Sequence, residues 1–378
     1  MRGVNGTGAS AAARHDVDNA THDGLDARAA LRHPGTLLTR ERMLVAPYDL
    51  EMDGTVPAGL IAATSRAAGA AGAGILNAAE RPFRLDYARC ATVQVINGMG
   101  VALGDSIVGL TALDALRAAH PALRFVLYRP ARLARHVAQL DALAGGVAAI
   151  RALPVALDAL PAADPKLDVG NQLYRPAFAA LPMIDYFLDA LGAEPAAIPA
   201  AAKRNRWLAR LALPALPAPW QARRYALFSA DASTPLRSIP PAQRAALVER
   251  IAQRYGLPVL GFGPVDHRAY VDVRALSPDT AAYLAWVRGA AVLIGADSSA
   301  IHVADGFDVP TLACFTSIAP GLRVRDYPHC RPVVVPVPPA LHDRHASDAP
   351  ADIAAVEAAY RGLDWDALAW PPARDGQA

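Results

Sequence analysis

Cysteine is scarce in this chain. Cys90, Cys314 and Cys330 are the three among 378 residues, too few and too scattered for a disulfide framework, so a reduced, cytoplasmic setting is expected. Lysine is scarcer still: only Lys166 and Lys203 occur, and arginine carries nearly all the positive charge. An excess of one sign is also missing, with 37 Lys and Arg against 35 Asp and Glu, a net charge of +2. A dedicated nucleic-acid binder neutralises many phosphates and needs a stronger imbalance, whereas a local basic pocket remains possible. No window reaches the roughly 18 uninterrupted apolar residues of a membrane span; the richest, 208–220, is broken by Pro214, Pro217 and Pro219. The first residues lack the apolar stretch of a secretory signal.

Hydrophobic residues make up 53% and charged residues 19%, enough to bury a core, and the length suits two domains. Residues 1–34 are polar, Ala/Gly-rich and aperiodic, and read as a disordered tail. Residues 35–83 form an N-terminal extension of undetermined structure, in which 42–50 reads as a strand and the Gly-interrupted 58–79 as a poor helix. From Thr92 the pattern sharpens. A short apolar strand leads into a Gly-bearing loop, then Ile107, Leu110, Leu113 and Leu116 recur at helical spacing, and a strand and a helix follow through residue 140. This alternation predicts a parallel α/β domain over 84–200. Residues 201–220, rich in Ala, Pro and Arg, read as a linker with a helix around Trp207. A second α/β domain spans 221–345, with Pro241 opening a helix that Gly256 closes and Ser277-Pro278 opening another. Residues 346–378 supply an amphipathic helix over 351–370, expected to pack across the domain junction, and a tail. The expected class is α/β: two Rossmann-like domains facing a cleft.

In open α/β sheets ligands bind outside the carboxyl ends of the strands, which singles out two strand-to-helix turns. The first carries Gly98, Gly100, Gly104 and Asp105. Asp105 stands where a helix begins, and two roles are open: a cap on the first free amides, or a carboxylate aimed into a cleft. The glycine spacing is loosely dinucleotide-like, and Arg129, at the end of the next strand, suits a 2′-phosphate. The second turn is Gly295-Ala296-Asp297-Ser298-Ser299, with His302 one helical turn on. Free amides and serine hydroxyls at a helix start make a phosphate cradle; the alternative is a capped helix with a core histidine. His329, Cys330, His342 and His345 lie near one another in sequence, but Pro338 and Pro339 interrupt them and a fourth ligand is not evident, so they read as loop residues and no metal site is expected.

Taken together, these turns resemble the family-nine glycosyltransferases, the ADP-heptose:lipopolysaccharide heptosyltransferases and their relatives. The resemblance rests on Gly104-Asp105 and the helix through Pro121, on Gly295 to Ala304 followed by Val309 to Thr316, and on Ser229 to Pro240; it covers residues 92–335. It implies a GT-B architecture, with acceptor on the first domain and nucleotide sugar on the second, and inverting transfer without a bound metal or other cofactor. By position Asp105 would be the general base, beside an acceptor-side loop with Gly100 and Gly104. Ser229, Ser233, Thr234 and Arg237 match the segment that meets the donor diphosphate. Asp297 would hold sugar hydroxyls, Ser298, Ser299 and His302 would border the diphosphate, and Asp266 would meet the donor ribose. The implied partners are a nucleotide sugar, ADP-sugar favoured, and a glycan or glycolipid acceptor of lipopolysaccharide or cell-surface glycan synthesis. The implied location is the cytoplasm, with or without peripheral contact at the inner membrane. The chain departs from the family's pattern in having Ser298-Ser299 for Thr-Gly, Thr316-Ser317-Ile318 for Gly-Pro-Thr, and Arg237 for Lys. Two other functions stay open: an NADP-dependent oxidoreductase built on Gly98, Gly100, Gly104 and Arg129, and a non-catalytic sugar-nucleotide-binding protein on the same scaffold.

Overall fold

The structure, a computed structural model, describes residues 24–65 and 74–375. In chain order its N-terminal part comprises α1 (Ala27–Arg32), β1 (Leu37–Leu38), β2 (Met43–Val45), α2 (Pro47–Asp53), β3 (Ile61–Ala62) and β4 (Ile75–Leu76). There follow β5 (Thr92–Ile96), α3 (Leu103–Ala119), β6 (Arg124–Arg129), α4 (Arg135–Leu143), β7 (Ala149–Ala152), β8 (Val155–Ala156), β9 (Lys166–Asp168), α5 (Pro176–Ala180) and α6 (Met183–Ala190). The second half contains β10 (Ala226–Ser229), α7 (Pro241–Tyr255), β11 (Val259–Gly261), β12 (Tyr270–Asp272), α8 (Thr280–Gly289) and β13 (Val292–Ala296). It closes with α9 (Ser299–Gly306), β14 (Thr311–Phe315), β15 (Cys330–Val334) and α10 (Pro350–Arg361).

Two parallel sheets carry the fold. The first has order β4-β9-β5-β6-β7 and the second β12-β11-β10-β13-β14-β15. In the second sheet the chain starts at the inner strand β10, builds outward to β12 and then crosses to β13; in the first, after the edge strand β4, it runs from β5 outward to β7 and then crosses back to β9. Strand order therefore reverses beside β5 in the first sheet and between β10 and β13 in the second, and such switch points open a crevice at the strand carboxyl ends.

Strand periodicity decides how the layers form. In the second sheet Leu227, Leu260, Leu293 and Ala313 face α8, α9 and the first domain, while Ala226, Phe228, Val292, Ile294 and Leu312 face α7 and α10. In the first sheet Val93, Val95, Phe125 and Leu127 pack with α3, α4 and α6. The opposite face, with Ile96 and Tyr128, is covered by Leu38, Leu44 and Leu153 from around a small antiparallel sheet, β3-β1-β2-β8. The N-terminal extension thus occupies the layer that a doubly wound sheet gives to helices.

Several expectations change here. Residues 1–23 of the expected tail lie outside the described residues, and 24–34 include α1. The segment 42–50 is a strand only over β2; Pro47, preset for the first helical position, turns it into α2. β4 joins the edge of the first sheet, so that domain's sheet begins inside the expected extension. The expected linker is no loose spacer: Asn205, Trp207 and Leu208 are buried, and Trp207 and Leu208 belong to one apolar core that runs through both domains. The segment around Trp207 is a short 3-10 turn, Arg206–Arg210. The last helix ends at Arg361 and packs on the second domain through Val356 and Tyr360, without crossing the junction. Among the described residues no helix is long and apolar enough to cross a membrane.

Candidate active site

A cleft of about 1050 Å³ lies between the carboxyl ends of the two sheets. From the first domain Gly100, Gly104, Asp105 and Gln172 line it; from the second come Ser229, Ser233, Arg237, Asp297, Ser298, Ser299, His302 and Arg323.

Asp105 is not a cap. Ala102 takes the cap position of α3, and Asp105 sits in the first turn with its Oδ2 accepting a hydrogen bond from Gln172 Nε2 at 2.9 Å. The loop before it is shaped around this pair. Gly100 has φ +65°, and a Cβ there would lie 2.5 Å from Asp105 Cβ and 2.6 Å from Gln172 Nε2. Removal from water pushes the Asp105 carboxyl above its ordinary pKa, against the pull of Arg323, Arg237 and the Gln172 hydrogen bond, with Asp297 adding to the rise. A carboxylate so placed can accept a proton at the cleft wall.

Arg129 is spent on the same loop. It is 2% exposed, its Nε donates to Asp141 at 3.0 Å, and its terminal nitrogens donate to the carbonyls of Gly98 and Gly100 and to Ser106 Oγ. Its role is to brace the glycine loop from beneath. It is buried and does not line the cleft, so the dinucleotide reading loses its cation.

Across the cleft, the switch point of the second sheet brings Arg237 to Asp297. Arg237 Nη1 donates to Asp297 Oδ2 at 3.1 Å, and Nη2 donates to Ser233 Oγ at 2.7 Å. The pair is sheltered, with Asp297 2% exposed. Arg237 Nε is buried and has no partner among the described residues. Ser298 takes the cap position of α9 without a side-chain hydrogen bond, and its buried Oγ is also unpartnered among the described residues. The first amides of α9 are therefore left open by its own cap, as an anion-binding helix start requires. Ser299 Oγ lies 3.3 Å from Tyr283 OH.

His302 is buried and belongs to the joint between the domains. Its Nδ1 lies 2.7 Å from Tyr327 OH, which accepts from Asn205 Nδ2 at 2.8 Å, and Thr111 Oγ1 donates to Asn205 Oδ1 at 2.6 Å. Burial lowers the His302 pKa to about 4, so the ring is neutral near pH 7. Gly104 of α3 lets the ring approach: a Cβ there would stand 3.1 Å from His302 Cδ2.

Two expected residues stand elsewhere. Asp266 is exposed on the loop after β11 and does not line the cleft; Asp231, ion-paired with Arg244 at 2.6 Å, is an acidic residue that does. Thr234 is buried outside the cleft lining, donating to Ser347 O at 3.1 Å and accepting from Ser347 N at 3.2 Å. His329 pairs with Asp308 at 3.6 Å while His345 stacks on Phe178, and among the described residues no group of three or more His, Cys, Asp or Glu stands together as metal ligands would.

Other cleft residues were not anticipated. Gln172 and Arg323 reach the cleft from loops after β9 and β14, and Tyr48 and Glu51 reach it from α2. The helix α2 is latched to the first domain by Asp49, whose carboxylate accepts from the amides of Ala131 and Arg132 at 2.9 and 2.8 Å. Phe262 and Tyr283, with ring centroids 5.1 Å apart, wall the second-domain end. A glutamine, a tyrosine or one arginine among many carries no spacing signal in sequence.

No protein-family model matches the chain, and comparison with curated proteins finds no match in sequence. Among solved structures the chain is similar to the Escherichia coli ADP-heptose LPS heptosyltransferase II, at 15% identity, covering 64% of this chain and 90% of that one with a TM-score of 0.42. It is similar to the E. coli heptosyltransferase WaaC with ADP-2-deoxy-2-fluoro heptose, at 14% identity, 67% and 95% coverage and a TM-score of 0.40. It is also similar to a glycosyl transferase family 9 protein of Veillonella parvula, at 14% identity, 67% and 87% coverage and a TM-score of 0.45.

Proposed function

We propose that the protein is an inverting glycosyltransferase that needs no bound metal and moves a sugar from a nucleoside-diphosphate donor on the second domain to a hydroxyl of an acceptor on the first. One observation carries the reading. Asp105, held by Gln172 and left out of its helix cap, shares a cleft with the Arg237–Asp297 pair and the open start of α9.

The chemistry follows from those groups. The acceptor oxygen attacks the anomeric carbon from the face opposite the diphosphate. A new C–O bond forms, the bond from that carbon to the phosphate oxygen breaks, and Asp105 accepts the hydroxyl proton. The nucleoside diphosphate leaves with the bonding pair. Its charge falls on Arg237, on the first amides of α9 and on the Ser298 hydroxyl, donors fixed before the reaction starts. Asp297, aimed by Arg237, accepts from donor sugar hydroxyls. The nucleobase lies toward Phe262 and Tyr283. We assign the donor to the ADP-sugars, with heptose favoured, on the sequence resemblance. The same resemblance supports a glycan or glycolipid acceptor of lipopolysaccharide or cell-surface glycan synthesis, met in the cytoplasm or at the inner face of the membrane.

The test is a thermal-shift panel of ADP-, GDP-, UDP- and CMP-sugars beside NADPH, followed by donor turnover. A ligand at a hundred times its dissociation constant adds about 2.7 kcal/mol of stability. Stabilisation by a sugar nucleotide with turnover on acceptor is expected. Stabilisation by NADPH alone would sink the reading, and sugar-nucleotide binding without turnover on any acceptor would favour the non-catalytic scaffold.

A further inference from the structure

Arg323 stands apart from the other arginines of the cleft. It is 7% exposed, yet among the described residues no carboxylate forms an ion pair with it. Among the described residues its one side-chain hydrogen bond runs from Nη1 to the carbonyl of its neighbour Leu322, at 3.3 Å. A guanidinium carries five donors and keeps its charge in proteins. A charge this deep without a counterion is costly, and the surrounding charges do not neutralise it. Arg237 already claims Asp297, while Asp105 is a carboxyl whose ionised form burial disfavours. Of the cations near Asp297, Arg237 is paired with it and Arg323 has no ion pair among the described residues.

The seat of Arg323 is also unusual. It lies in the loop after β14, in the second domain, and its guanidinium rests 5.5 Å from the ring centroid of Phe178 in α5 of the first domain. Phe178 is itself held, edge-on to Tyr186 at 5.0 Å and stacked with His345 of the second domain at 5.6 Å. A cation over an aromatic face keeps its in-plane N–H groups free. The first domain therefore orients a cation that belongs to the second.

We infer that Arg323 is a second phosphoryl-binding cation of the cleft, that its ligand is the diphosphate of the donor, and that Phe178 is a positioning residue that holds it there from the opposite domain. The inference rests on the donor-site reading above. β13 and β14 are adjacent strands, so the turn bearing Ser298 and the loop bearing Arg323 open at the same end of the sheet. A diphosphate carries enough negative charge to answer both arginines, and bidentate guanidinium contacts suit its oxygens. Coupling through Phe178 makes donor affinity depend on how the two domains are apposed.

Calorimetry on the full chain with pyrophosphate, ADP and adenosine tests this, with folding of each variant checked by circular dichroism. Arg323→Gln is expected to weaken pyrophosphate and ADP at least tenfold and to leave adenosine within twofold. Arg323→Lys, which keeps the charge, guards against a folding artefact and should retain more affinity than the Gln variant. Phe178→Ala should weaken pyrophosphate three- to tenfold with the charge still present. Folded Arg323 variants that bind pyrophosphate like wild type would overturn the inference and leave Arg323 to some other anion. Arg237→Gln separates the two ideas. A loss there with none at Arg323 sinks the inference alone, whereas no loss at either sinks the donor-site reading with it.

Discussion

Asp105 and Asp297 both stand at a strand-to-helix connection of a parallel sheet, Asp105 in the first turn of α3 and Asp297 between β13 and the cap of α9, and their company differs. Asp297 is clasped by Arg237. Asp105 has a glutamine amide for its contact and senses cations only at a distance. An ion pair fixes the direction in which a carboxylate points, which suits a hydrogen-bond acceptor for a ligand. A carboxylate whose pKa is raised by burial and which lacks a salt bridge binds a proton more strongly than an ordinary aspartate, which suits a base. Two similar turns are thus differentiated by what the tertiary fold brings opposite each.

The sharpest way to break the comparison is Asp105→Asn. Turnover should fall by roughly 10²–10⁴-fold with nucleotide affinity intact. Stability near pH 7 should hold or rise, because the variant no longer buries a carboxyl whose charged form is disfavoured. Single-turnover kinetics beside thermal unfolding checks both, and unchanged turnover would end the assignment. In wild type the acid limb of the rate profile should lie above the ordinary aspartate range, since the base works only when ionised and its pKa is raised.

His302 links the two turns, and its effect should come next. Its folded-state pKa is depressed to about 4, so between pH 6.5 and 4 the unfolded chain binds the extra proton. Its stabilising contribution is complete above pH 6.5 and lost as pH falls toward 4, about 3 kcal/mol in all. Urea unfolding of wild type and His302→Asn across that window should show the shallower slope in the variant.

Arg237→Gln should cost about 1.5–3 kcal/mol of diphosphate affinity, the range for a charged hydrogen bond. Asp297→Asn should instead weaken the sugar nucleotide more than the free diphosphate. Calorimetry with ADP and ADP-sugar compares them, and equal losses on both ligands would erase the division of labour. The smallest effect is expected at Gly104→Ala. Alanine favours the helix by up to about 1 kcal/mol, while its Cβ would stand 3.1 Å from the His302 ring. Net stability should move by less than about 1 kcal/mol, with a few-fold loss of turnover as α9 shifts, read from the same unfolding and kinetic assays.

Much of this was legible in the sequence. Strand-helix alternation with Pro241 and Gly256 in their capping places marked the second domain, and the periodic Ile107, Leu110, Leu113 and Leu116 marked α3. Both aspartate turns were found because a strand end followed by a helix start is a local pattern. The extension was not readable, because its strands are two or three residues long and form by pairing with one another and with β8 and β9 of the first domain. Asp266 was misplaced for a related reason: the loop after β11 carries several polar residues, and chain order does not say which one turns inward.

The sequence by itself determined two parallel α/β halves and the two turns that face the cleft, because periodicity and capping act over a few residues. Only the tertiary structure decided that Asp105 stands off the cap and meets Gln172, that Arg129 braces a loop, that Trp207 and Leu208 of the expected linker are core, and that Arg323 rests on Phe178 with no ion pair among the described residues. Each of these depends on what is removed from water and what charge stands opposite. Burial and charge pairing join residues far apart in the chain, and only folding fixes them.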